Sequence, residues 1–294
     1  MTENTQQTVT YWNRIKIAFQ YIMPQQYLTQ FAGWFAKQKW GAVTHFVIKL
    51  FAKKYQIDMQ EAEKKEFKDY ESFNQFFIRT LAENARPINP EANTICLPAD
   101  GRISQMGHID DNLLLQAKGH HFSLETLLAN DEELVTAFKD GEFATVYLSP
   151  RDYHRVHMAC TGKLRKMIYV PGDLFSVNPF LAEHIPNLFA RNERVICVFD
   201  TEFGPMVQIL VGATITASMS TVWAGIINPP RSKEVKTWSY ENDEAVQLMK
   251  GQEMGAFQLG STVINLFPKD TIKFADSLEV DTPVRVGEIL AYKK

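Results

Sequence analysis

Side chains able to do chemistry are concentrated in three short islands of the 294-residue sequence. The first is Pro98-Ala99-Asp100-Gly101, where an acid follows a short apolar stretch and precedes a glycine that permits a tight turn. The second, Tyr147–His157, reads YLSPRDYHRVH and carries His154 and His157. The third is Leu259-Gly260-Ser261-Thr262, just ahead of the apolar run Val263–Phe267. An acid, an imidazole and a hydroxyl permit one familiar arrangement. The acid orients the imidazole, which takes the proton of a serine whose oxygen attacks a carbonyl. Gly260, lacking a Cβ, lets backbone and catalytic groups approach Ser261 closely. Taken singly, each residue has a plainer reading: LGST as a strand-entry turn, Asp100 as a turn-capping acid, His157 as a satisfied core histidine.

The elements that must position these islands are legible from residue periodicity. The odd positions from Val207 to Met219 are all apolar, and the even positions from Gln208 to Ser220 are mostly Gln, Thr and Ser. Period two predicts a half-buried strand, bent or broken at Gly212, although Phe203–Pro230 carries no charge and superficially resembles a membrane segment. Further short β-branched strands are expected at 94–97, 113–117, 143–148, 195–199, 262–267 and 284–292. Helices are expected at Ser72–Arg79, Leu124–Leu128 and Glu241–Lys250. Many strands with few intervening helices argue for an α+β or mainly β body over residues 75–294, and an α+β fold with a β-rich catalytic core is expected.

Residues 1–74 read differently. Positions 10–56 hold seven Lys or Arg, twelve aromatics and no acid, against 24 basic and 34 acidic residues elsewhere. Three amphipathic helices are expected there. The first carries Trp12, Ile15, Phe19 and Ile22 and stops at Pro24; the second carries Leu28, Phe31, Ala32 and Phe35. The third carries Val43, Phe46, Val47, Leu50 and Phe51 at helical spacing. Apolar and aromatic faces opposite cations describe helices lying in an anionic membrane interface, each cation adding about 1 kcal/mol. A helical subdomain packed on the core, with solvated cations, is the alternative. Ile17–Ala36 is uncharged, but Pro24, Thr29 and four glutamines make it too polar to span a bilayer.

The composition excludes other chemistries. Cys96, Cys160 and Cys197 are widely spaced and odd in number, which fits a reducing cytoplasm and offers no disulfide framework. His154 and His157 could share a metal, yet no matching Cys or His pair accompanies them, so no metal is expected. The polar start Met1–Gln7 has no signal-peptide pattern, and no nucleotide-binding glycine motif or internal repeat is present. No nucleic-acid partner is expected.

Taken together, PADG, YLSPRDYHRVH and LGST, in that order, resemble bacterial-type phosphatidylserine decarboxylases, a family made as proenzymes. The stretches FNQFFIR (73–79), QAKGH (116–120), YVPGDLFSVN (169–178), NLFARNERV (187–195), VGATI (211–215) and KGQEMGAFQLGSTVINLF (250–267) extend the resemblance across residues 10–290. Ala159 departs from it, standing where many relatives have proline, and Pro179–Ile185 looks variable.

The resemblance implies that Asp100, His157 and Ser261 form a self-cleavage triad. The Ser261 oxygen attacks the Gly260 carbonyl to give an ester. Elimination then leaves a carboxylate on Gly260 and dehydroalanine at 261, which hydrolyses with loss of ammonia to a pyruvoyl group. The products are a β chain, 1–260, and an α chain, 261–294. The pyruvoyl carbonyl is the Schiff-base site and electron sink for loss of CO2 from phosphatidylserine, giving phosphatidylethanolamine. His154 is implied as the acid or carboxylate-positioning group. The resemblance further implies a homodimer bound peripherally to the cytoplasmic face of the cell membrane. A membrane-associated serine hydrolase using Asp100, His157 and Ser261 on an external ester is the competing reading, and a lipid-binding scaffold without catalysis is a third.

Overall fold

Three helices form where the apolar periodicity placed them: α1 Tyr11–Ile22, α2 Gln25–Ala36 and α3 Ala42–Tyr55. The computed structural model describes residues 10–117, 119–215, 218–228, 231–240, 246–258 and 261–294. The Thr10 hydroxyl caps α1 by accepting from the Asn13 amide, and Pro24 separates α1 from α2. The expected stripes do not all turn inward. Trp12, Phe19, Ile22, Phe31 and Phe46 remain 71, 59, 81, 62 and 67 % exposed. What the helices bury is mostly a small-residue face: Thr29, Gly33 and Ala36 of α2, and Thr44, Ile48 and Ala52 of α3. Among the described residues no helix is long and apolar enough to cross a membrane. A short helix, α4 (Phe73–Phe77), is capped by Ser72 and sets Phe73, Phe76 and Phe77 around Phe51 of α3.

The body is antiparallel. Its main sheet runs in the order Lys236–Ser239, Gly162–Val170, Arg194–Thr201, Gly204–Val211, Ser261–Phe267, Glu142–Leu148, Gly101–His108, Pro283–Val284, with Gln247–Leu248 also on Gly162–Val170. A second sheet orders Gly225–Ile226, Met219–Thr221, Glu253–Phe257 and Arg155–His157. A third joins Thr94–Cys96, Ile289–Lys293 and Ile272–Phe274, and Leu113–Ala117 pairs with His120–Ser123.

The main sheet has a core on each face. On one side Leu210, Val263 and Phe267 meet Val156, Met254 and Phe257 of the second sheet. On the other, Val207, Ile209, Ile264 and Leu266 meet Leu134, Phe138, Leu188 and Phe189 from short helices. This makes an α+β fold with a β-rich core and an N-terminal helical region.

Several expectations change in detail. The Val207–Met219 run is broken at Gly212 as expected, the first strand ending at Val211 and the next starting at Met219. It is not half-buried, because residues 206–211 are buried throughout, Gln208 included. Residues 284–292 do not form one strand; Val284 ends one and Ile289 starts another. The helix expected at Glu241–Lys250 is contradicted where the chain is described: Gln247–Leu248 is a strand, and residues 241–245 lie outside the described residues. Gly101 opens a strand instead of making a tight turn. A Cβ there would sit 2.2 Å from the Tyr147 carbonyl oxygen, so close strand approach is what requires glycine.

Candidate active site

Ser261 is the first residue of a seven-residue strand that is buried along its whole length, and it pairs with Leu148. Its hydroxyl is buried with no hydrogen-bond partner among the described residues. Ser261 lines a pocket of about 250 Å³ walled by Phe51 and Tyr55 of α3, Phe77 of α4, Tyr147, Pro150, and the loops carrying Val177 and Ile215. An unpaired buried hydroxyl is costly in a folded protein; what sets Ser261 apart from the equally unpaired Thr145 and Thr262 hydroxyls is the pocket it lines. Gly260 lies outside the described residues.

His154 stands behind the pocket wall. Its ring stacks on Phe77 with centroids 4.1 Å apart, and Nε2 lies 3.1 Å from the Ser149 carbonyl oxygen. Nε2 therefore carries the proton, and Nδ1 presents a buried lone pair without a hydrogen-bond partner among the described residues. Complete burial, aided by the nearby charge of Arg79, lowers its pKa to about 3. His154 is a neutral imidazole at working pH.

His157 ends the strand Arg155–His157. Its Nδ1 donates to the Gly251 carbonyl at 2.8 Å, and its Nε2 accepts from the Tyr153 hydroxyl at 3.0 Å. Burial lowers its pKa as well, so it too has a free base form to offer. Val156, one residue earlier, packs into the core beside Val263, and alternation turns His157 to the opposite face of the second sheet.

Asp100 is held by Arg86. The Arg86 Nε lies 3.0 Å from both carboxylate oxygens and Nη2 lies 2.6 Å from Oδ2, while the Val286 amide donates to Oδ1 at 2.9 Å. Burial acts to lower the Arg86 pKa, but its hydrogen bonds to Asp100 and Glu61 outweigh this and raise it overall. Among the described residues no hydrogen bond joins Asp100 to His157 or His157 to Ser261. Their elements are joined instead by the His157 amide, which donates to the Pro98 carbonyl at 2.8 Å, and by a polar chain through the core. Gln208 Nε2 donates to the His157 carbonyl at 3.0 Å, and Asn265 Nδ2, four residues after Ser261, lies 3.3 Å from Gln208 Oε1.

Sequence reasoning gave no role to Arg79, Arg86 or Tyr153. Arg79 closes the FNQFFIR stretch; it is 5 % exposed, its Nη2 donates to the Arg151 carbonyl at 3.3 Å, and its Nε and Nη1 have no hydrogen-bond partner among the described residues. With Arg86 and Asp100 it lines a polar pocket of about 440 Å³. Arg86 sits in a loop without periodic signal, so only the fold could bring it to Asp100.

The chain belongs to the phosphatidylserine decarboxylase family, whose model matches residues 73–292, while a second family model described as PSD matches residues 15–56. It is 74 % identical to a phosphatidylserine decarboxylase proenzyme of Haemophilus influenzae over 294 residues, the full length of both chains. A proenzyme of the same name from Pasteurella multocida is 76 % identical over 286 residues, covering 97 % of each chain. One from Mannheimia succiniciproducens is 74 % identical over 286 residues, again covering 97 % of each.

Proposed function

We propose that this chain converts phosphatidylserine to phosphatidylethanolamine and CO2, using a pyruvoyl group that it makes from Ser261 by cutting itself after Gly260. The observation that carries this reading is the Ser261 hydroxyl, buried and unpartnered at the head of a central strand and facing a pocket. A pyruvoyl group at 261 would fit there: the rings of Phe51, Tyr55, Phe77 and Pro150 line the pocket, and among the described residues no hydrogen bond engages the Ser261 side chain. When formed, the group supplies an electron sink for the pair left by the departing carboxyl.

The residues of the chain supply the rest. His154, neutral and with its Nδ1 lone pair unengaged, positions the carboxylate or moves a proton beside the pocket. Self-cleavage assigns Asp100 as orienting acid and His157 as base toward Ser261. To reach that arrangement, His157 Nε2 must exchange the Tyr153 hydroxyl for Ser261, and His157 Nδ1 must exchange the Gly251 carbonyl for Asp100, which then shares its oxygens between His157 and Arg86. The cut yields a β chain of 1–260 and an α chain of 261–294.

The catalytic unit is 75–294 and the membrane-associating unit 1–74, although Phe51 and Tyr55 of the latter help wall the pocket. The exposed Trp12, Phe19, Ile22 and Phe31, beside cations and without acids, support peripheral seating on the cytoplasmic face of the cell membrane. The family resemblance adds a homodimer, which mass photometry checks.

Intact mass of the purified protein, wild type against Ser261→Ala, tests the reading together with turnover of phosphatidylserine vesicles. Two fragments split at 260/261, the smaller one with a blocked N-terminus, are expected from wild type alone. A single full-length species in an active preparation removes the electrophile and sinks it. An intact chain labelled by phosphonates would favour the hydrolase. For the membrane, deleting residues 1–56 would also remove pocket walls, so the cleaner variant is the triple change Phe19→Ser, Ile22→Ser, Phe31→Ser. Unchanged co-sedimentation with anionic vesicles would reject the interfacial role.

A further inference from the structure

The two helices that carry the exposed aromatics also reach inward. The Ser176 amide donates to Gln20 Oε1 at 3.2 Å, the Leu174 amide to Gln25 Oε1 at 2.7 Å, and the Ile215 amide to Thr29 Oγ1 at 3.1 Å. Ser176 and Ile215 both line the Ser261 pocket. The segments 174–178 and 212–215 lie outside helices and strands, so these amides have no ladder of their own to satisfy them. The Thr214 hydroxyl donates to the Leu174 carbonyl and ties the two segments to each other. Gln25 is itself fixed, its Nε2 donating to the Gln20 carbonyl at 2.8 Å, and Thr29 is fully buried.

Ile215 adds a second observation. Its φ of +72° is a left-handed conformation that strains a β-branched residue and persists only where its surroundings impose it. The Thr29 hydroxyl on its amide is one such constraint. The same turn of α2 that places Thr29 inward leaves Phe31 outward, 62 % exposed.

We propose that Gln20, Gln25 and Thr29 are positioning residues for decarboxylation: they hold the outer wall of the Ser261 pocket on α1 and α2, so that the helices seated in the bilayer also set the shape of the pocket. This rests on the decarboxylase and membrane readings above, and the test separates it from both. The variants are Thr29→Val, which keeps the shape and removes the hydroxyl, and Thr29→Ser, which restores the acceptor. Turnover is measured per cleaved molecule on monomeric dihexanoyl phosphatidylserine and on phosphatidylserine–phosphatidylglycerol vesicles, with vesicle binding measured separately.

Losing one hydrogen bond of ordinary strength predicts about a fivefold fall in kcat/KM for Thr29→Val on both substrates. Vesicle binding should be unchanged, the Ile215 amide should exchange faster, and Thr29→Ser should act like wild type. Wild-type behaviour of Thr29→Val on the monomeric lipid overturns the proposal, as does a loss confined to vesicles, which a mere anchor would give. Should Thr29→Val fail to fold, Gln25→Met replaces it with the same expectations read at the Leu174 amide. If wild type itself does not bind vesicles, the membrane reading fails while the effect on monomeric lipid still decides this one. If wild type turns over neither lipid, the decarboxylase reading fails and the Ile215 exchange rate decides whether the clamp exists.

Discussion

Replacing Arg86 by methionine should be among the most damaging single changes in this protein that leave its core untouched. The side chains of Arg86 and Asp100 are 9 and 8 % exposed, so neither charge is solvated. Methionine fills the space but leaves Asp100, among the described residues, with the Val286 amide alone as hydrogen-bond donor. Removing one partner of a buried pair costs about 3–5 kcal/mol, because the other charge is stranded. Glu61 is less affected, since Arg285 still reaches it at 3.0 Å. The assay is urea unfolding in a Ser261→Ala background, which keeps the chain in one piece, with a double-mutant cycle to Asp100→Asn. Removing both charges should recover much of the loss, giving a coupling of about 2–3 kcal/mol. Acid behaviour gives a further sign. The hydrogen bond from Arg86 lowers the Glu61 pKa below its usual 4.5. Its stabilisation is therefore complete above pH 4.5 and lost as pH falls through the folded value, and Arg86→Met should flatten that limb. A loss under about 1 kcal/mol for Arg86→Met, or a double variant as unstable as the sum of the singles, would refute the claim that this pair is buried and coupled.

Other consequences can be measured directly. His154 has a folded pKa near 3 against about 6.5 unfolded, so its neutral form stabilises fully above pH 6.5 and progressively less below. Between pH 7 and 5 the uncut Ser261→Ala chain should lose about 2 kcal/mol that the same chain carrying His154→Asn does not lose, as urea midpoints at the two pH values will read. Gln208→Leu strands the His157 carbonyl and the Asn265 amide in the core; a loss of about 1–3 kcal/mol in urea is expected, and an unchanged midpoint would mean the polar chain carries nothing. Tyr153→Phe frees His157 Nε2, so mass spectrometry of newly made chain should find self-cleavage as fast as wild type or faster; a tenfold slowing would give the tyrosine a positive part in the reaction.

How much of this was legible in the sequence depends on the kind of pattern involved. The three N-terminal helices showed as apolar stripes at helical spacing, and the strands as β-branched runs. Burial on both faces of Gly204–Val211 was not legible, since Gln208 reads as a solvent-facing residue until Asn265 and the His157 carbonyl are brought to it. Ser261 and His154 stood out only in combination with their neighbours. The grip of Arg86 on Asp100 crosses a loop with no periodicity, and nothing local marks it. The glutamines of residues 17–36 spoke against a spanning helix, yet two of them turn out to accept from amides of pocket loops, a long-range partnership that composition does not encode.

The place of Ser261–Phe267 in the main sheet has a consequence for the enzyme's lifetime. This strand lies between Glu142–Leu148 and Gly204–Val211, bonded to both, with apolar layers above and below. With the proposed cut made before Ser261, the short C-terminal peptide stays captive as an inner strand of the main sheet, and it leaves only if neighbouring strands part. Reassembly would then need two separate molecules to meet. The finished enzyme should therefore melt irreversibly under dilute conditions where its uncut precursor still refolds.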